Sequence, residues 1–163
     1  MRRRTLVGAI AAGGLLAAAG GALALGEVLS RPVLHAAGEP PQRLDAMPVR
    51  FATAAGAEVG GWFSPGRPGL GAVLLLHGVR GSRHSMVGRA QFLHRLGIAT
   101  LAIDLPGHGE SPAPHITFGA NESHGVVAAL AWLAQRCPGE RIGAIGVSLG
   151  AASLVLEIGR AHV

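Results

Sequence analysis

The chain has no lysine, no tyrosine and a single cysteine, and only 14% of its 163 residues are charged. Without lysine it cannot form a phosphate-binding loop of the Gly-Lys-Ser/Thr type. Cys137 has no second cysteine with which to form an internal disulfide, and no cysteine–histidine spacing is typical of a zinc site. The sequence therefore predicts neither a metal nor a cofactor.

Arginine alone carries the positive charge. The formal net charge is +5, and three of the fourteen arginines stand together at positions 2–4, so the rest of the chain carries +2. Because only 4% of residues are aromatic, no basic stripe with interleaved aromatics remains, and nucleic acid is not a predicted partner. The glycines at 143, 146 and 150 do not have the spacing of a dinucleotide-binding turn.

An uncharged segment, residues 5–26, follows the basic residues 1–4. As a helix it would be about 30 Å long, and the positive residues before it are typical of both signal segments and cytoplasmic flanks. Two outcomes stay open: a retained transmembrane anchor with the remainder outside the cytoplasm, which is slightly favoured, or secretion after cleavage following Ala24. Residues 27–48 contain several prolines and are predicted to be an extended linker.

Strands and helices are predicted to alternate between residues 49 and 156. A hairpin of strands 49–53 and 58–63 precedes three continuous apolar strands, 72–76, 98–103 and 142–147. Helical periodicity occupies 85–96 and 121–136, and another helix follows position 148. Because buried strands that alternate with helices require parallel crossovers, the predicted class is α/β.

A polar or glycine-rich loop follows each apolar strand, at the sheet edge where α/β proteins bind their ligands. The loops are His77-Gly78-Val79-Arg80-Gly81-Ser82, Asp104-Leu105-Pro106-Gly107-His108-Gly109-Glu110-Ser111 and Gly146-Val147-Ser148-Leu149-Gly150. A strand, Gly-x-Ser-x-Gly and a helix form the elbow that holds a serine nucleophile on a strained turn. Three such signals in order are far more specific than one.

With these loops, residues 49–156 resemble the N-terminal part of the α/β-hydrolase fold in its serine-hydrolase branch. Within that branch they resemble the bacterial serine-aminopeptidase-like hydrolases. The resemblance implies Ser148 as nucleophile and an oxyanion hole made by the backbone N–H groups of Val79 and Leu149. It implies cleavage of an ester, thioester or amide through an acyl-enzyme, on a small-molecule or peptide substrate of unknown identity. The supporting positions are His77, Gly78, Asp104, Gly146 and Gly150.

Several of these residues also have a structural interpretation. The alternative interpretation of the Ser148 turn is that a glycine-flanked connection from strand to helix is purely structural. His77 is expected to shape the oxyanion loop rather than act as a base, and His108 is expected to be structural. Asp104 is expected to accept hydrogen bonds from nearby backbone N–H groups. For the whole chain, the alternative to an enzyme is a non-catalytic, membrane-tethered interaction domain on the same scaffold.

A nucleophilic serine needs a base and a carboxylate that orients the base. After Ser148 the sequence offers only Glu157 and His162, and Glu157 would lie about 13 Å away along a helix. Residues 157–163 also back-translate into a sequence that resembles a sequencing adapter. We therefore expect an artefactual tail on a truncated domain, and an inactive 163-residue chain with an exposed sheet edge.

Overall fold

The computed structural model describes residues 2–160, and the side chains of residues 13–157 within them. Two compact units are present, Met1–Arg31 and Pro32–Val163. His162 and the end of the predicted tail lie outside the described residues. The first unit is the helix α1, Arg2–Ser30, whose leucines 15, 16, 23 and 25 are exposed. Its part Gly13–Ser30 is apolar and long enough to cross a membrane, a property that anchors and signal segments share.

The second unit is built from short strands and helices that follow an initial hairpin. In chain order they are β1 Val33–Leu34, β2 Met47–Ala52, β3 Glu58–Ser64, β4 Ala72–Leu76, α2 Val87–Arg95, β5 Ala99–Ile103, β6 His108–Gly109, α3 Glu122–Arg136, β7 Ile142–Gly146 and α4 Leu149–Arg160. Single 3-10 turns, Gln42–Leu44 and Arg83–Met86, precede β2 and α2. The strands and helices expected between residues 49 and 156 are present, with ends that differ from the predicted ones by two residues or fewer.

The five longer strands form one mixed sheet in the order β2-β3-β5-β4-β7. The hairpin β2–β3 joins β5 in antiparallel fashion, whereas β5, β4 and β7 are parallel. The register aligns Leu76 with Ile103 on one side and with Gly146 on the other. All three parallel strands therefore end at the same level, and the loops that follow them meet at one edge. The α/β class is confirmed.

Helices cover both faces of the sheet, which explains the apolar runs of its strands. On one face Leu74, Leu76, Leu101 and Ile103 belong to a core that includes Val126, Ala129 and Leu133 of α3. On the other face Leu75 and Ala102 pack with Met86, Ala90 and Leu93, beside and within α2. Successive residues of β4 and β5 thus alternate between the two cores.

The predicted linker, residues 27–48, is corrected at its beginning. Residues 27–30 continue α1, so the helix ends at Ser30 rather than at position 26. Arg31, which is followed by Pro32, closes the first unit. Proline lacks the backbone N–H that would continue the helical hydrogen bonding, so a helix usually ends just before it.

The remainder of the predicted linker is not a free connection. Val33–Leu34 pairs in parallel with His108–Gly109, and Ala37 and Leu44 are buried. Leu44 belongs to the core beside α2, and its carbonyl accepts a hydrogen bond from Ser64 Oγ. We call residues 32–44 the strap, because they run across the loop that carries Asp104.

Candidate active site

Ser148 lies on the tight turn between β7 and α4, with its side chain exposed. Its φ is +48°, in the left-handed region that residues other than glycine rarely adopt. A Cβ at position 146 would lie 2.5 Å from Ala151 N, and a Cβ at 150 would lie 2.6 Å from Leu76 Cβ. Both flanking positions therefore require glycine, because other atoms of the same chain approach them too closely for a Cβ. The turn holds Ser148 in a strained backbone conformation of the kind that clusters at active sites.

The loop after β4 lies directly against this turn. A Cβ at Gly78 would be 3.6 Å from Ser148 Cβ, and the N–H of Gly150 donates to the carbonyl of His77 (3.1 Å). Within residues 2–160, the N–H groups of Val79 and Leu149 make no hydrogen bond. Leu149 is also the first residue of α4, whose N-terminus favours negative charge. Two unpaired backbone donors therefore accompany the exposed serine, one on each side of the contact between loop and turn.

His77 is fully buried, and both of its ring nitrogens are occupied. Nε2 accepts the N–H of Leu105 (3.0 Å), and Nδ1 lies 2.7 Å from the carbonyl oxygen of Gly78. Because a carbonyl only accepts, Nδ1 carries the proton and the ring is neutral. Burial lowers the pKa of His77 from 6.5 to about 4. The side chain thus ties the loop after β4 to the loop after β5, and no lone pair is left for a substrate proton.

Asp104 is fully buried at the end of β5 and accepts four hydrogen bonds. They come from the N–H of Arg83 (2.7 Å), from Arg83 Nε (3.0 Å) and Nη2 (2.7 Å), and from the N–H of Glu110 (2.9 Å). Burial by itself raises the pKa of Asp104, but the bonds from Arg83 and Glu110 outweigh it, so the pKa is lowered. Asp104 is an ionised carboxylate that joins the two loops.

The other residues of the glycine-rich loop after β5 also hold this loop in place against its neighbours. His108 Nε2 accepts the N–H of Arg80 (3.1 Å), and burial lowers its pKa. Ser111 Oγ donates to the carbonyl of Asp104 (2.7 Å) and accepts the N–H of Gly60 (2.9 Å). Gly109 has φ +51°, and a Cβ there would lie 2.0 Å from Asp104 Oδ2, so only glycine fits beside the carboxylate.

Arg83 and the strap are the parts of the site that sequence reasoning missed. Arg83 is 1% exposed and also contacts Glu110 (3.1 Å). Glu110 in turn accepts the N–H of Ala37 in the strap (3.0 Å) and pairs with Arg50 (3.2 Å). A signal for some cation did exist, because a carboxylate buried after an apolar strand requires a cationic partner, but it does not select Arg83 among the arginines.

Ser148 Oγ has no histidine partner among the described residues, and the carboxylate of Asp104 is occupied by Arg83 and by the N–H of Glu110. The described part of the chain thus contains a strained serine and two donors, but no base in contact with that serine. His77 and His108 are both engaged in holding the loops together.

Parallel strands with a Gly-x-Ser-x-Gly turn at their carboxyl edge, opposed by a loop with an unpaired N–H, are typical of the α/β-hydrolase fold. The chain belongs to the alpha/beta hydrolase family, whose model matches residues 73–163. A search of curated proteins finds no match.

Solved structures agree with this assignment. The esterase Pf2001 of Pyrococcus furiosus is 28% identical with a TM-score of 0.71, over 81% of this chain and 54% of that one. The alpha/beta hydrolase GrgF of Penicillium sp. sh18 is 18% identical with a TM-score of 0.61, over 69% and 40%. An epoxide hydrolase mutant of Vigna radiata is 18% identical with a TM-score of 0.59, over 72% and 36%. The last two show the shared fold, and this chain spans about half the length of the esterase.

Proposed function

We propose that this protein is a serine hydrolase that cleaves an ester, thioester or amide through an acyl-enzyme on Ser148. One observation carries the proposal: an exposed serine at φ +48° stands beside two unpaired backbone donors, on Val79 and Leu149. The likeness to the esterase Pf2001 supports an ester as the first substrate class to examine.

In the proposed reaction, Ser148 Oγ attacks the acyl carbonyl carbon and loses its proton to a base. The carbonyl oxygen becomes an oxyanion, which the N–H groups of Val79 and Leu149 stabilise, helped by the N-terminus of α4. The tetrahedral intermediate collapses to the acyl-enzyme as the leaving group takes the proton, and water then releases the acid. Losing one such donor typically costs about 3 kcal/mol of transition-state stabilisation.

The reaction also needs a histidine base, and none contacts Ser148 among residues 2–160. We therefore propose that the 163-residue chain, by itself, forms no acyl-enzyme at a useful rate. The oxyanion donors alone would leave it far below a complete triad.

We further propose that the hydrolase unit is attached to, or exported across, a membrane. The support is the helix Gly13–Ser30, which is apolar and long enough to cross one. The same helix favours the second candidate function, a membrane-tethered interaction domain that uses the scaffold without its chemistry.

The test is labelling of the natural full-length protein with a fluorophosphonate, which reacts with activated serines. We expect one label on Ser148, its loss in Ser148→Ala, and a fall in ester hydrolysis of at least about 10³-fold. Ser85→Ala is the control, because Ser85 is exposed and its hydroxyl donates to the carbonyl of Ser82 (2.8 Å) rather than to a group of the proposed reaction. A folded protein that neither labels nor hydrolyses esters would overturn the proposal in favour of the interaction domain.

A further inference from the structure

We propose that Arg83 is a positioning residue for the oxyanion loop, residues 77–83, and that its ion pair with Asp104 fixes the N–H of Val79 beside Ser148. The inference rests on the proposed function, since it assigns the residue that holds one of the two proposed oxyanion donors in place.

Arg83 occupies a site built for one orientation of its guanidinium. Nε and Nη2 both donate to Asp104 Oδ2, at 3.0 and 2.7 Å, and Nη2 also contacts Glu110. The guanidinium lies over the ring of Trp62, 5.5 Å from its centroid. A Cβ at Gly60 would come within 2.6 Å of Nη2, so glycine makes the space for it. A buried arginine held by two carboxylates and a ring has little freedom to move.

Hydrogen bonds at three positions along the oxyanion loop, His77, Arg80 and Arg83, connect it to the loop after β5. His77 Nε2 accepts from Leu105 at the start of the loop, and the N–H of Arg80 donates to His108 Nε2 in its middle. At its end the N–H of Arg83 donates to Asp104 Oδ1 (2.7 Å). Val79 lies between the first and the second of these.

The Arg83 end of the loop is the part that depends on charge. The bonds at His77 and Arg80 join neutral partners, whereas backbone and side chain of Arg83 both bind one carboxylate. Arg80 itself has φ +58°, so the loop passes through a strained conformation right after Val79. Contacts on both sides of that point are needed to maintain it, and Arg83 with Asp104 supplies the stronger ones.

The network reaches beyond the two loops. Glu110 Oε2 accepts a hydrogen bond from Arg83 Nη2, and Glu110 Oε1 accepts the N–H of Ala37 in the strap. Removal of the guanidinium would take away the cation that the two carboxylates share, leaving Asp104 buried without one while Glu110 keeps Arg50. We expect the two carboxylates to separate and to release the end of the oxyanion loop.

Loss of Arg83 should therefore act on the transition state more than on substrate binding. A donor displaced by a fraction of an ångström still leaves the substrate bound but stabilises the oxyanion poorly. For Arg83→Met we expect kcat for p-nitrophenyl acetate to fall about 10- to 100-fold with KM changed less than about threefold. Arg83→Lys should recover part of kcat, since it restores the charge without the fork of donors.

The experiment measures kcat, KM and thermal unfolding for the natural full-length protein and its variants, well below their melting temperatures. The control is Arg89→Met, because Arg89 is exposed on α2 and makes no ion pair in the described residues. The double variant Arg83→Met, Asp104→Asn removes the unpaired buried charge, and we expect it to regain stability while kcat stays low.

Each outcome decides between the two claims. If the natural full-length protein, without substitutions, is not labelled at Ser148 and does not hydrolyse esters, the proposed function fails. If it is labelled and active but Arg83→Met keeps kcat within twofold, the positioning role fails and the function stands. Recovery of kcat together with stability in the double variant would show that Arg83 contributes folding stability alone, which also overturns the inference.

Discussion

His77 and His108 connect the two site loops as neutral rings, and this makes them sensitive to pH. In each ring Nε2 accepts a backbone N–H, from Leu105 and from Arg80. A proton on Nε2 would remove the acceptor and break the bond. Burial lowers both pKa values, that of His77 to about 4, so the folded protein resists protonation.

We predict that the free energy of unfolding decreases as the pH falls from 6.5 towards 4. The unfolded chain takes up a proton on His77 near 6.5, whereas the folded chain does so only near 4. The stabilising contribution is complete above 6.5 and is lost over this window, by up to about 3 kcal/mol. Asp104, whose pKa is lowered from 3.8, adds its loss only at still lower pH. Urea unfolding at several pH values measures the slope.

The control for this prediction is a histidine whose side chain is exposed to solvent. His124 is exposed on α3, so His124→Gln should keep the slope between pH 6.5 and 4, while His77→Gln should reduce it. Equal slopes in the two variants would contradict the assignment to His77.

Sequence reasoning identified the residues of the turn and loops but not their partners. The glycines at 146 and 150 and the polar residues after each strand are visible as patterns of residue type. Arg83 is one of fourteen arginines, and nothing in its neighbours along the chain marks it as buried. Its role depends on Asp104, twenty-one positions away, and on the register that aligns β4 with β5.

Among the elements, the regular ones were predictable and the strap was not. Strands such as β4 and helices such as α3 carry long apolar patterns that reflect burial. The two-residue strand β1 has no period to detect, and its partner β6 lies in a glycine-rich loop. Proline-rich composition suggested a free linker, although main-chain hydrogen bonds hold the segment in place.

We predict that the strap depends on a main-chain hydrogen bond that a single substitution can remove. The N–H of His35 donates to the carbonyl of Gly109 (3.0 Å), and the His35 side chain is exposed. His35→Pro removes this donor and should lower the free energy of unfolding by about 1 kcal/mol. Detachment of the strap should also speed tryptic cleavage after the exposed Arg43. His35→Ala keeps the N–H and serves as control; equal cleavage rates in both variants would show that the strap does not depend on this bond.

For the whole molecule, the sheet has a different character at its two borders. At one border β2 is the outer strand of a hairpin, and charged Arg50 and Glu58 pair across it. At the other border β7 pairs with β4 on one side and has no second neighbour in the described residues. Ile145 in β7 is 38% exposed, and Val147 after it is 36% exposed. An apolar strand with a free edge is a template for pairing with another chain.

We predict that the 163-residue chain associates with itself through β7, and that Ile145→Lys weakens this association at least tenfold, about 1.4 kcal/mol. Lysine on an edge strand opposes pairing, because its charge would have to be buried against a second strand. Sedimentation velocity in one mild detergent, over a range of protein concentrations, measures the effect while α1 stays solvated. Val155→Lys is the matched control, since Val155 is an exposed apolar residue (66%) on α4 and is not part of the sheet. If both variants weaken association equally, general surface charge rather than the β7 edge governs it; if neither does, β7 is not the contact.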